Sequence, residues 1–221
     1  MKDTTPTSPK MFEHTHLPNI GLTNAQIPIE IYQALNREIV DIHMASETGS
    51  LDKNGIVQMN PSLAGQITKE YQITKSLPLL NPFLGEMGRA YQEEWNYYPT
   101  ENPNDNKLTV ESVWVNMQKK LEVNPLHNHD GTLSFVAWLY TPFKLEDERN
   151  MENCKNSRRV ELASTFQFVY TTALGTIANC PMFVESGWEA KIVMFPAKLL
   201  HMVYPFQTSD DYRISIAGNL H

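Results

Sequence analysis

The sequence predicts an α+β domain in which helices come first and a sandwich or jelly-roll barrel of antiparallel strands follows. Three observations carry that expectation. Between residues 28 and 95 apolar side chains recur at intervals of three and four, the period of an amphipathic helix. After residue 106 the period falls to two, as in strands with distinct faces. From there to the C-terminus about eight short segments of this kind are separated by turn residues, which points to an antiparallel β architecture. A chain of 221 residues suits one domain. The expected division is a tail and approach segment at 1–27 and a single domain at 28–221, with helical support at 28–106 and a jelly-roll core at 107–221.

Taken in order, 1–10 is polar and rich in Pro and Thr, the composition of a mobile tail. Ile31, Leu35, Ile39 and Ile42 place a helix over 28–43, opened by Pro28. Residues 47–55 form a loop, and NPSLAGQITKEYQI (60–73) reads as a short helix running into an extended piece. Phe83, Met87, Tyr91 and Trp95 recur every four residues and predict a helix from Pro82 to Trp95. In the first strand Val113, Val115 and Met117 alternate with Trp114, Asn116 and Gln118. Residues 132–141 are apolar on both faces, as in a buried strand. The charged stretch 144–161 reads as an exposed insertion, with Glu146, Asp147 and Glu148 in solvent. TFQFVYTT, PMFVES, AKIVMFP, LLHMVYP and YRISIAGN complete the strands.

Composition narrows the function classes. An apolar share of 41% with nine Phe, nine Tyr and four Trp supplies a core. A formal charge of −7 argues against broad binding to nucleic acid or anionic membrane. Two cysteines, Cys154 and Cys180, do not make a disulfide framework, and MKDTTPTSPK lacks the apolar centre of a signal peptide. A cytoplasmic setting follows as the expectation.

The chemistry-bearing pattern is His127-Asn128-His129 with His201 downstream. Imidazoles at i and i+2 on a strand share a face, so two of them can hold one metal from adjacent corners. Three protein ligands leave positions open, the arrangement of a catalytic rather than a closed structural site. Imidazole suits iron, copper, zinc or nickel. A second pair, His14 and His16, has no strand pattern or third partner and reads as a decoy. Twelve residues beyond His201, Arg213 begins the strand YRISIAGN, where alternation groups Arg213, Ser215, Ala217 and Asn219 on one face. An arginine in an apolar strand needs a partner. Either a bound carboxylate supplies it, gripped in bidentate fashion with help from the Ser215 hydroxyl, or an ordinary ion pair to Asp210, Asp211 or Glu189 does.

WVN (114–116), NPLHNHDGTLSFVAWLY (124–140), the stretch from Gly187 through MFPAKLLH (194–201), and RISIAGN (213–219) together resemble the 2-oxoglutarate/Fe(II) oxygenases of bacteria and phages. The resemblance covers about 110–220. It implies a double-stranded β-helix, a cupin-like jelly roll, using Fe(II), 2-oxoglutarate as cosubstrate, and O2. By that resemblance His127, His129 and His201 are the metal ligands, and Arg213 with Ser215 holds the distal carboxylate of 2-oxoglutarate. Asn116 and Tyr140 are further cosubstrate contacts. His129 stands where most of the superfamily has Asp or Glu. Asp130 is the alternative carboxylate, and would need a turn or bulge to reach the metal.

The implied activity is a hydroxylase releasing succinate and CO2 and acting on a protein side chain or a small metabolite. It would work in the cytoplasm, that of the host if the chain is phage-encoded. Two other readings stay open: a three-histidine cupin-like metalloprotein that does not use 2-oxoglutarate, and a non-catalytic phage-type binding or structural barrel. Exposed barrel edges are compatible with a homodimer.

Overall fold

Ten strands and three helices make up the structure, a computed structural model that describes residues 20–98 and 107–221. The expected tail and the pair His14 and His16 lie outside the described residues. All strand pairs are antiparallel. A six-stranded sheet runs β1 (Thr23–Gln26), β8 (Lys191–Pro196), β5 (Leu133–Tyr140), β10 (Arg213–Leu220), β3 (Val110–Gln118), β2 (Lys69–Gln72). A four-stranded sheet runs β4 (Asn124–His127), β9 (Leu200–Val203), β6 (Phe166–Thr171), β7 (Ile177–Met182). Val136, Trp138, Val193 and Phe195 of the larger sheet pack with Phe166 and Phe168 of the smaller, forming a core between the sheets. This is an α+β jelly roll of the double-stranded β-helix type.

The other face of the larger sheet is covered by α1 (Ile29–Glu47) and α2 (Leu77–Trp95). Leu35, Ile39, Leu80, Leu84 and Tyr91 join Val113, Val115, Met117 and Ile216 there in a second core. The helix-facing residues are the odd-numbered members of β3, so the alternation read from the sequence separates the two cores. Burying each such aliphatic side chain contributes roughly 1.5–3 kcal/mol.

Several boundaries differ from the expectation. α2 begins at Leu77 rather than Pro82, which lies inside the helix. Glu38 of α1, nearly fully buried, explains the earlier start: its carboxylate accepts the backbone N–H groups of Thr74, Lys75 and Ser76 at 2.7–2.8 Å, anchoring the segment that enters α2. The strand placed at PMFVES falls at Ile177–Met182, closed onto β6 by a tight turn at 172–176. Strand β1 precedes residue 28 and pairs with β8. The charged stretch 144–161 is tied down at several points, among them Leu145 N donating to Glu185 Oε2 (2.9 Å) and Asn153 Nδ2 to Gln207 Oε1 (2.9 Å), and most completely at Glu148. α3 (Leu145–Arg149) buries Glu148 completely, and its carboxylate accepts from Ser164 Oγ (2.7 Å), Gln207 N (2.8 Å) and Thr208 N (2.8 Å). With the Thr208 hydroxyl, four donors from two loops replace the solvent expected around it.

Candidate active site

In antiparallel strands, residues directly opposite one another share a face. His127 of β4 stands opposite His201 of β9, which brings their rings to 4.3 Å between centroids. His129 falls just beyond the end of β4, so strand alternation does not place it. Its backbone N–H donates instead to Ala197 O at 2.9 Å, and Gly131 (φ 98°) turns the chain into β5. That anchor leaves the His129 ring 5.0 Å from each of the other two. One ring nitrogen from each histidine lies within 4.8 Å of the others.

The second ring nitrogens orient two of the ligand atoms. His127 Nδ1 bonds Pro125 O (2.7 Å) and His201 Nδ1 bonds Leu199 O (2.9 Å), which requires Nδ1 to carry the proton and leaves the Nε2 lone pair free. His129 Nε2 and His201 Nε2 lie 3.1 Å apart; with His201 protonated at Nδ1, His129 Nε2–H donates to the His201 Nε2 lone pair, and a bound metal would take that proton's place. Burial depresses the basicity of all three, to about 4 for His129 and about 3 for His201, and for those two the neighbouring imidazoles add to it. The neutral, metal-binding form therefore prevails at neutral pH. Phe166 stacks on His201 and Phe195 meets it edge-on. Asp130 is exposed and paired with Lys198 at 2.9 Å, outside the cluster.

On the larger sheet, Gln118 pairs with Arg213, and Asn116 with Ser215. Arg213 is 4% exposed. Its Nε and Nη2 donate to Gln118 Oε1, Nη1 to Ser164 O (3.3 Å) and Nη2 to Tyr204 O (3.1 Å), while Phe143 and Phe206 lie 5.7 and 5.4 Å away. Its direct contacts are neutral oxygens and two rings, with the Glu148 carboxylate one residue further out, beyond Ser164. Among the described residues no carboxylate forms an ion pair with it: Asp210 is on Lys120, and Glu189 accepts from Gly187 N. Burial pulls its basicity down to about 9, with Glu148 opposing. A buried cation held by neutral acceptors retains a demand for an anion.

The three histidines, Asn116, Gln118, Arg213 and Ser215 line one pocket with Asn124, Trp114 and Trp138. Tyr140 is not among its lining residues. Alternation from Trp138 would set it opposite Arg213, but a register shift between Ile214 and Ser215 pairs it with Ile214 and leaves it 44% exposed. Sequence reasoning missed Gln118 as the partner of Arg213, although it shares the alternation of Asn116. It also missed Glu70, for which no local pattern existed.

A jelly roll in which three histidines cluster beside a buried guanidinium, with no ion pair to it among the described residues, has the donor set of a non-haem metal site in a double-stranded β-helix. Residues 112–219 match the family model described as "Putative 2OG-Fe(II) oxygenase". Over that segment, just under half of its length, the chain is similar to the 2OG-Fe(II) oxygenases, whose members use Fe(II), 2-oxoglutarate and O2. The fold is shared with AviO1 from Streptomyces viridochromogenes Tue57 (12% identity, TM-score 0.53, covering 91% of this chain and 89% of that one). It is shared also with the non-haem alpha-ketoglutarate-dependent carbocyclase SnoK from nogalamycin biosynthesis (12% identity, TM-score 0.53, 91% and 79%). No curated protein sequence matches the chain. No helix among the described residues is long and apolar enough to cross a membrane.

Proposed function

We propose that the protein is a hydroxylase in which His127, His129 and His201 hold Fe(II), and Arg213 with Ser215 holds the distal carboxylate of 2-oxoglutarate. The observation that carries this reading is the convergence in one pocket of three neutral imidazoles with a buried guanidinium that, among the described residues, no carboxylate contacts in an ion pair. The donor set fits ferrous iron: nitrogen ligands in their neutral form, with ligand nitrogens oriented by backbone carbonyls. Bound there, the metal and cosubstrate supply the reaction in which 2-oxoglutarate, O2 and a C–H bond become succinate, CO2 and an alcohol.

The chain's own residues bind, orient and exclude. Three imidazoles offset none of the charge of a ferrous ion, and with Arg213 they favour a dianionic cosubstrate more strongly than a site with one carboxylate ligand. Gln118 fixes the guanidinium plane, and Asn116 and Ser215, 3.5 Å apart, are further hydrogen-bonding groups in the row beside it. Phe166, Phe195, Trp114 and Trp138 line the pocket with apolar surface, keeping water from the reacting groups. The substrate is a small molecule or a protein side chain. The two free thiols, Cys154 and Cys180, fit a cytoplasmic setting.

The test is calorimetric titration of the iron-loaded, anaerobic protein with oxalylglycine, followed by assay of succinate from 2-oxoglutarate. Binding that is lost in Arg213→Ala supports the reading. Absence of both binding and turnover overturns it, and stoichiometric iron without oxalylglycine binding would favour a three-histidine metalloprotein independent of 2-oxoglutarate.

A further inference from the structure

The same pocket carries a second mismatch, of opposite sign to that of Arg213. Glu70 of β2 stands opposite Asn116 of β3, and Asn116 opposite Ser215 of β10, so the three form one row across the pocket side of the sheet. Glu70 is 1% exposed and lines the pocket. Its Oε2 accepts from Asn60 Nδ2 at 3.2 Å, but its Oε1 has no partner. No Lys or Arg among the described residues forms an ion pair with it. The loop before β2 is pressed against it: a Cβ at Gly65 would lie 2.7 Å from Oε1, so glycine keeps that oxygen approachable. Asn116 Oδ1 and Asn124 Oδ1, both buried and both in this pocket, also lack donors.

Three buried acceptors without donors in one pocket are costly unless a ligand supplies the hydrogens. The dicarboxylate assigned to Arg213 cannot, because it offers acceptors only. An alcohol offers one donor, whereas an ammonium offers three and a guanidinium five. A buried carboxylate also matches a cation better than a neutral group.

We propose that Glu70, with the side-chain oxygens of Asn116 and Asn124, is the substrate-recognition post of this pocket, and that the substrate presents an amine or guanidine to it as a cation. This deepens the hydroxylase reading and rests on it: cosubstrate at Arg213, the donor-rich end of the substrate at Glu70.

The experiment titrates iron-loaded, anaerobic protein saturated with oxalylglycine against methylguanidine and n-propylamine, with 1-propanol and propionate as controls. The cations are expected to bind at least about tenfold more tightly than either control. Glu70→Gln, which keeps the shape of the side chain, is expected to remove that preference while oxalylglycine still binds. Asn124→Leu is expected to weaken cation binding to a smaller degree, which keeps the proposal testable should Glu70→Gln not fold. Equal binding of propylamine and propanol, or a folded Glu70→Gln protein with unchanged cation preference, overturns the proposal. If oxalylglycine itself does not bind, the hydroxylase reading fails separately, and the same cation titration without it still decides the role of Glu70.

Discussion

The two faces of the larger sheet differ more than any two separate regions of the molecule. Val113, Val115, Met117 and Ile216 point to the helices and are packed among Leu35, Leu80 and Leu84. Their immediate chain neighbours Trp114, Asn116, Gln118 and Ser215, with Arg213 two residues before Ser215, line the pocket. One face spends its burial on stability. The other buries a guanidinium and several acceptors that the protein leaves incompletely matched, which is the signature of a surface shaped for ligands.

That contrast is broken most sharply at the histidines. His201→Ala is expected to abolish stoichiometric Fe(II) binding and succinate formation, measured by metal analysis and turnover. Arg213→Ala is next: it should retain iron yet lose about 2–5 kcal/mol of oxalylglycine affinity, on the order of thirtyfold to several thousandfold by calorimetry. On the opposite face, Leu84→Ala should cost about 2–5 kcal/mol in denaturant unfolding while the folded fraction binds oxalylglycine normally. If it also weakens binding in the folded protein, the two faces are not independent.

Smaller effects sharpen the comparison. Burial, with the Glu122 charge adding to it, raises the Glu70 carboxyl to about 7. A folded-state value above the unfolded one means that the native protein binds the extra proton between about pH 4.5 and 7. The contribution of Glu70 is thus most favourable below the unfolded value and is lost as pH rises through 7. Glu70→Gln should therefore stabilise the protein at pH 8, by at most about 3 kcal/mol, and leave it nearly unchanged at pH 5, read from unfolding midpoints. Least affected of all, Asp130→Asn should leave iron binding and the midpoint as they are, since its carboxylate meets only Lys198 at the surface. A loss of iron affinity there would reopen the question of the third ligand.

Much of this was legible in the residues. Alternation in β3 and β10 separates Asn116, Gln118, Arg213 and Ser215 from the helix-facing set, because side-chain direction in a strand depends only on parity. The helical period of 28–95 marks the two helices, although the start of α2 depends on Glu38, more than thirty residues away. Glu148 looked like solvated charge because its donors, Ser164, Gln207 and Thr208, lie in other loops.

By itself the sequence determined the fold class, the order of elements and which residues share a face, since these follow from periods of two and near four between chain neighbours. Tertiary structure alone decided the rest. A backbone bond to Ala197 places His129 in the cluster after its strand has ended. A register shift takes Tyr140 out of the pocket, and the pairing of β2 onto β3 brings Glu70 into it. Each of these depends on contacts between distant segments, and no local period encodes where a strand stops, slips or finds its neighbour.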